Sequence, residues 1–107
     1  DCLCWNGHAC ADSDSEFRMF WLNSKLSECS AATSSRMNPN TFAALPCYNA
    51  DPEGITMAYQ DQIDFQRDGL VLLMKQTQYV GGVTSTVLLW KVRSRPVPLV
   101  SDVLLIG

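Results

Sequence analysis

The spacing of apolar residues changes character near the middle of the chain and divides it into a helical front and a strand-rich back. In the front, Met19, Leu22, Leu26 and Cys29 recur at intervals of three, four and three, one face of a helix. Ser13-Asp14-Ser15-Glu16 stands before them as a capping box, with Ser13 as N-cap and Glu16 reaching back to it. Phe17, Met19 and Trp21 also alternate as a strand would. The cap decides for the helix, which sets Cys29 on the buried face. Ser30 to Ser35 is small and polar, a loop. Asn38-Pro39 is a second start signal, a cap followed by proline at the first helical position. It opens a short turn over Thr41 to Leu45 that Pro46 ends. Asp51-Pro52-Glu53-Gly54 is a third start signal. It opens either a helix over Ile55 to Gln66 or a turn before a strand, and the alternation of Ile63 and Phe65 suits both.

Behind the turn Arg67-Asp68-Gly69 the pattern becomes that of a sheet. Leu70 to Thr77 is a strongly apolar strand, and Val80-Gly81-Gly82-Val83 carries the glycine pair of a hairpin. Thr84 to Val92 is β-branched and apolar, with Trp90 near its end. Arg93 to Pro98 is a connection whose two prolines cannot donate to a ladder, and Leu99 to Ile106 closes as a last strand. The expected architecture is α+β: an antiparallel β-meander packed against one or two short helices, with the helical elements of the front half on one face. At 107 residues the chain is expected to form a single domain over residues 1–107. Residues 1–50 make its cysteine-bearing helical and loop half, and residues 51–107 its antiparallel sheet half.

Composition sharpens this picture at one place. All five cysteines, Cys2, Cys4, Cys10, Cys29 and Cys47, fall in the front half. A domain this small gains from cross-links, so a disulfide-stabilised N-terminal half in an oxidising, extracellular compartment is expected. An odd count leaves one thiol over, either buried or linking two copies into a homodimer; a non-covalent homodimer is the alternative. Cys2 and Cys4 are too close along an extended chain to bond each other, so each reaches forward. Cys2, Cys4, His8 and Cys10 are four soft or borderline ligands within nine residues, but gaps of one, three and one residues are cramped for zinc, and no metal or cofactor is expected. The chain opens on Asp1, not Met, from which removal of a signal peptide and secretion are expected. No apolar run is long enough to span a membrane. A formal charge of −3 excludes nucleic acid and anionic membrane as main partners on this reading.

Chemistry is sparse. The chain has one histidine, His8, and it lies among the cysteines. The acid pairs Asp51 with Glu53 and Asp61 with Asp64 read as caps and solvated faces. An enzyme is not expected. A protein partner is, and Trp5, set in a tight lead-in with little room for a core, is a candidate anchor. Arg93 and Arg95, flanking the stiff proline connection, are further candidates.

Two resemblances give this concrete form. The Cys-X-Cys pair Cys2 and Cys4, followed by a helix bearing Cys29 and by Cys47, resembles the small secreted cysteine-containing proteins of fungi, the effectors and killer toxins. That resemblance implies a secreted, non-enzymatic protein that binds a host or target protein. Gln78-Tyr79-Val80-Gly81-Gly82 is similar to the Gln-X-Val-X-Gly hairpin loop of cystatins. It implies inhibition of papain-type cysteine proteases, with Gln78, Val80 and Gly82 as contact residues. A third reading, a carrier of a small apolar ligand, would use a cavity between helix and sheet.

Overall fold

The computed structural model describes residues 1–63, 69–91 and the backbone of 103–106. A two-stranded hairpin, β1 (Cys4–Trp5) and β2 (His8–Ala9), leads into helix α1 (Ser15–Glu28). Strand β3 (Cys47–Asn49) and helix α2 (Pro52–Gln60) follow, then β4 (Gly69–Met74), β5 (Val87–Lys91) and β6 (Val103–Ile106). The fold is α+β with two antiparallel sheets, β1-β2 and β3-β6-β4-β5. In the larger sheet β6 pairs with β4 on one side and with β3 on the other, so strand order does not follow chain order.

The central place of β4 follows from its sequence. Gly-Leu-Val-Leu-Leu-Met is apolar at odd and even positions alike, which suits a strand covered on both faces. Leu70 and Leu72 join Ala50, Ala58, Ile55 and Trp90 under α2, whereas Val71 and Leu73 join Met19, Cys47 and Val87 under α1. The helices therefore lie on opposite faces of the sheet.

Both helix starts are capped by aspartate. Asp14, not Ser13, is the N-cap of α1, its Oδ1 accepting from Phe17 N at 2.8 Å. Asp51 caps α2 in the same way, accepting from Gly54 N at 2.7 Å, with Pro52 in the first turn as its signal predicts. Of the helix stripe, Met19 is buried and Leu22 and Leu26 half-buried, but Cys29 caps the C-terminus of α1 and is exposed. No helical turn forms over 41–45. The Asn38 side chain turns backward instead, donating to the carbonyls of Ala31 and Thr33 at 3.1 and 3.2 Å, and Phe42 N donates to Ala31 O.

Cys2, Cys4, Cys10, Cys29 and Cys47 stand as free thiols in the structure, without the bridges expected from sequence. Cys4 and Cys29 are exposed, whereas Cys2 and Cys10 are buried at 5% and 3% relative exposure. The front half is tied down by hydrogen bonds to a buried arginine instead.

Candidate functional site

Arg18 is that arginine, 1% exposed on the inner face of α1. Its five N–H donors all find acceptors. Nε and Nη2 meet the two Asp1 carboxylate oxygens at 2.9 and 3.0 Å, Nη1 meets the carbonyls of Ser13 and Thr77 at 2.6 and 3.1 Å, and Nη2 also meets Ser15 Oγ at 3.1 Å. Burial lowers the guanidinium below its ordinary value. Ser15 Oγ donates to Thr77 O, Glu16 N to Lys75 O, and Tyr79 N to Ala11 O. These bonds engage residues 75–79 along the start of α1, and so pairing between β4 and β5 stops at Leu73↔Val87. The glycine pair Gly81-Gly82 consequently sits in a wide loop between the strands, not at a tight hairpin tip.

That loop closes one end of an apolar cavity of about 290 Å³ between α1 and the sheet. Gln78 and Val80 line it together with Met19, Leu22 and Val71, and Gly82 stands beyond it at φ +82°. The three residues of the cystatin-like signal are exposed.

Two other places gather aromatic and charged side chains. At the end of the β4–β5 ladder, Trp90 is half-buried and meets Tyr59 edge-on, with ring centroids 5.7 Å apart and planes at 74°. This contact from α2 sets the orientation of the indole. Gly69 faces Lys91 across the ladder, where a side chain on residue 69 would collide with the Trp90 carbonyl. A cavity of about 270 Å³ opens there, lined by Gly69, Val71, Leu89, Trp90 and Lys91 among others. Because successive strand residues point to opposite faces, Lys91 stands on the α1 face and Trp90 on the α2 face. Arg93 and Arg95 lie outside the described residues.

The second place lies between the small hairpin and the C-terminal half of α1. Asn6 and Gly7 both take positive φ, 47° and 84°, the geometry of a two-residue hairpin turn that the Asn-Gly pair predicts. It sets Trp5 and His8 opposite each other in register. Facing them are Trp21, Lys25 and Glu28 around a cavity of about 370 Å³. Phe17 stacks on Trp21 at 5.8 Å, Lys25 Nζ lies 4.6 Å from the Trp21 ring centroid, and Lys25 pairs with Glu28 at 2.7 Å. Trp5, singled out from sequence, is thus joined to groups that sequence spacing did not connect with it.

Among the described residues, no three His, Cys, Asp or Glu side chains converge as a metal site requires, and no helix is long and apolar enough to cross a membrane. No solved structure matches the chain significantly. Residues 1–92 match the family described as the snurportin-1 m3G cap-binding domain. Membership overturns the exclusion of nucleic acid that net charge suggested. The physical reason is that recognition of a cap base works through stacking and local charge, neither of which the sum over a chain reports.

Proposed function

From this chain's membership of the snurportin-1 m3G cap-binding domain family, we propose that it binds the trimethylguanosine cap of an RNA, without turnover. The family match over residues 1–92 is the observation that carries the reading. Methylation at N7 leaves a guanine ring positively charged, so its natural receptor is an electron-rich aromatic face.

Of the aromatic rings described above, Trp90 suits that base best. Trp21 already carries Phe17 and the Lys25 ammonium, which would repel a cationic ring. Trp90 meets Tyr59 with ring planes at 74°, a contact that orients the indole. The basic groups near Trp90 suit the other end of the ligand. Lys91 points to the opposite sheet face, and the sequence continues with Arg93 and Arg95, giving three cations within five residues. They match the triphosphate that joins a cap to its RNA. Tyr59 is a positioning residue in this scheme, acting through Trp90.

The test is a titration with a trimethylated cap dinucleotide and with its unmethylated counterpart, followed by calorimetry. Binding of the methylated ligand is expected, with Trp90→Ala weakening it by about ten- to a hundredfold, the usual worth of one base–aromatic stack. Equal affinity for the two dinucleotides, or none at micromolar protein, would remove the reading.

A further inference from the structure

The cavity between the hairpin and the end of α1 is not used by the cap scheme, yet it is built of groups that recognise nucleotides. Trp5 and His8 stand side by side on the two strands, fixed by the Asn6-Gly7 turn. Trp5 is half-buried, and no other aromatic ring or cation lies against it among the described residues. An indole and an imidazole held in this way offer a platform for a planar base. The Asn6 amide and the Glu28 carboxylate supply hydrogen-bonding groups for a base edge, and Lys25 supplies a cation for a phosphate. A separate observation concerns Trp21, which forms the opposite wall. Its Nε1 is the one buried side-chain donor that lacks a hydrogen-bond partner among the described residues.

The position of the cavity also suits RNA. Helix α1 starts against Thr77 and Lys75, passes Met19 over Leu73, and shares a cavity wall between Leu22 and Val71. It therefore runs against the direction of β4, and its last turns lie toward the Gly69–Lys91 end of the sheet. Lys91 is on the same face of the sheet as α1. A strand of RNA that starts at Trp90 and crosses the β5 edge at Lys91 is led toward this cavity.

We infer that the Trp5–His8–Lys25–Glu28 cavity is a second RNA subsite. It takes one nucleotide of the single-stranded RNA that follows the cap, with its base on Trp5 and His8 and its phosphate on Lys25. The inference rests on the cap-binding reading and deepens it by extending the ligand beyond the cap.

Three probes separate the two claims: the trimethylated cap dinucleotide, a trimethyl-capped RNA of about ten nucleotides, and the same RNA uncapped. Each is titrated against wild type, Trp5→Ala and Lys25→Glu, with circular dichroism to confirm folding. The capped RNA is expected to bind more tightly than the dinucleotide. Both variants are expected to weaken the capped RNA about tenfold, close to the loss of one stack, and to leave the dinucleotide within twofold. Lys25→Glu is also expected to lower the salt dependence of capped-RNA binding. Equal affinity of dinucleotide and capped RNA, or variants that leave the capped RNA unchanged, would overturn the subsite while the cap reading stands. If the dinucleotide fails to bind, the cap reading falls. The uncapped RNA then decides the subsite: binding that both variants abolish supports it, and no binding overturns it.

Discussion

Arg18 grips Asp1 with two parallel hydrogen bonds, Nε to Oδ1 at 2.9 Å and Nη2 to Oδ2 at 3.0 Å, from a position 1% exposed. The pair spans the start of the chain and the inner face of α1, and the same guanidinium also holds Ser13 O and Thr77 O. One buried cation thus joins the lead-in, the helix and the β4–β5 loop. Such a group contributes chiefly because its loss strands every acceptor around it.

Arg18→Met is accordingly expected to destabilise the protein by about 3–5 kcal/mol. Asp1→Asn keeps the shape and removes the charge, and is expected to cost less, since Asp1 is partly exposed. Urea denaturation of both variants measures this. A loss below ~1 kcal/mol for Arg18→Met would mean that the lead-in is held by other contacts.

Thiol chemistry separates the cysteines by position. With no reductant or denaturant, a maleimide is expected to label Cys4 and Cys29 first, both being exposed. Cys2 and Cys10 are expected to label only on unfolding. Burial, followed by the neighbouring Cys10 thiol, raises the Cys2 value, which further lowers its thiolate fraction. Mass spectrometry after labelling under denaturing conditions is expected to count five modified thiols. A count of three or one would restore the disulfides.

Cys47 adds a dependence on alkaline pH. Its burial raises the thiol above the ordinary range, so the folded protein keeps a proton that the unfolded chain releases. The stabilisation is whole below the unfolded thiol value of roughly 8.5 and is lost as pH rises through the folded value. Stability measured at intervals from neutral pH upward is therefore expected to fall above that point, and Cys47→Ala is expected to flatten the fall. A variant with the same slope as wild type would assign the loss to other groups.

Gly54 is placed where no side chain fits. A Cβ there would enter the Asn49 carbonyl, and that backbone belongs to β3. Gly54→Ala is expected to push α2 from the sheet at a cost of about 1–3 kcal/mol or more. Removing the cap with Asp51→Ala is expected to cost only about 1 kcal/mol. Thermal melts of the two variants should rank them in that order. The reverse order would show that α2 depends more on its cap than on its docking.

Much of the local structure was legible because it depends on neighbours in sequence. Asn6-Gly7 carries the positive φ of its turn and the apolar run after Gly69 forms a strand, whereas Asp51-Pro52 left helix and strand both open until the structure showed α2. The errors came where a side chain spent its hydrogen bonds on something distant. Asn38 looked like a cap and instead closes the loop behind it onto Ala31 and Thr33. The strand expected to reach Thr77 ends at Met74, because Ser15, Glu16 and Arg18 bond the backbone beyond it.

The candidate sites divide in the same way. Sequence alone marked Trp5 as unusual and put Arg93 and Arg95 just after Trp90, since both facts are matters of spacing. It could not bring Trp5 and His8 to Lys25 and Glu28, or set Tyr59 edge-on to Trp90. Those meetings depend on how α1 and α2 pack on opposite faces of the sheet, and packing is settled by apolar contacts between residues far apart in the chain. Sequence by itself determined α1, β4 and β5 in outline, through cap, turn and apolar period. Only the tertiary structure decided which polar and aromatic groups meet, because each such meeting needs burial that no local pattern encodes.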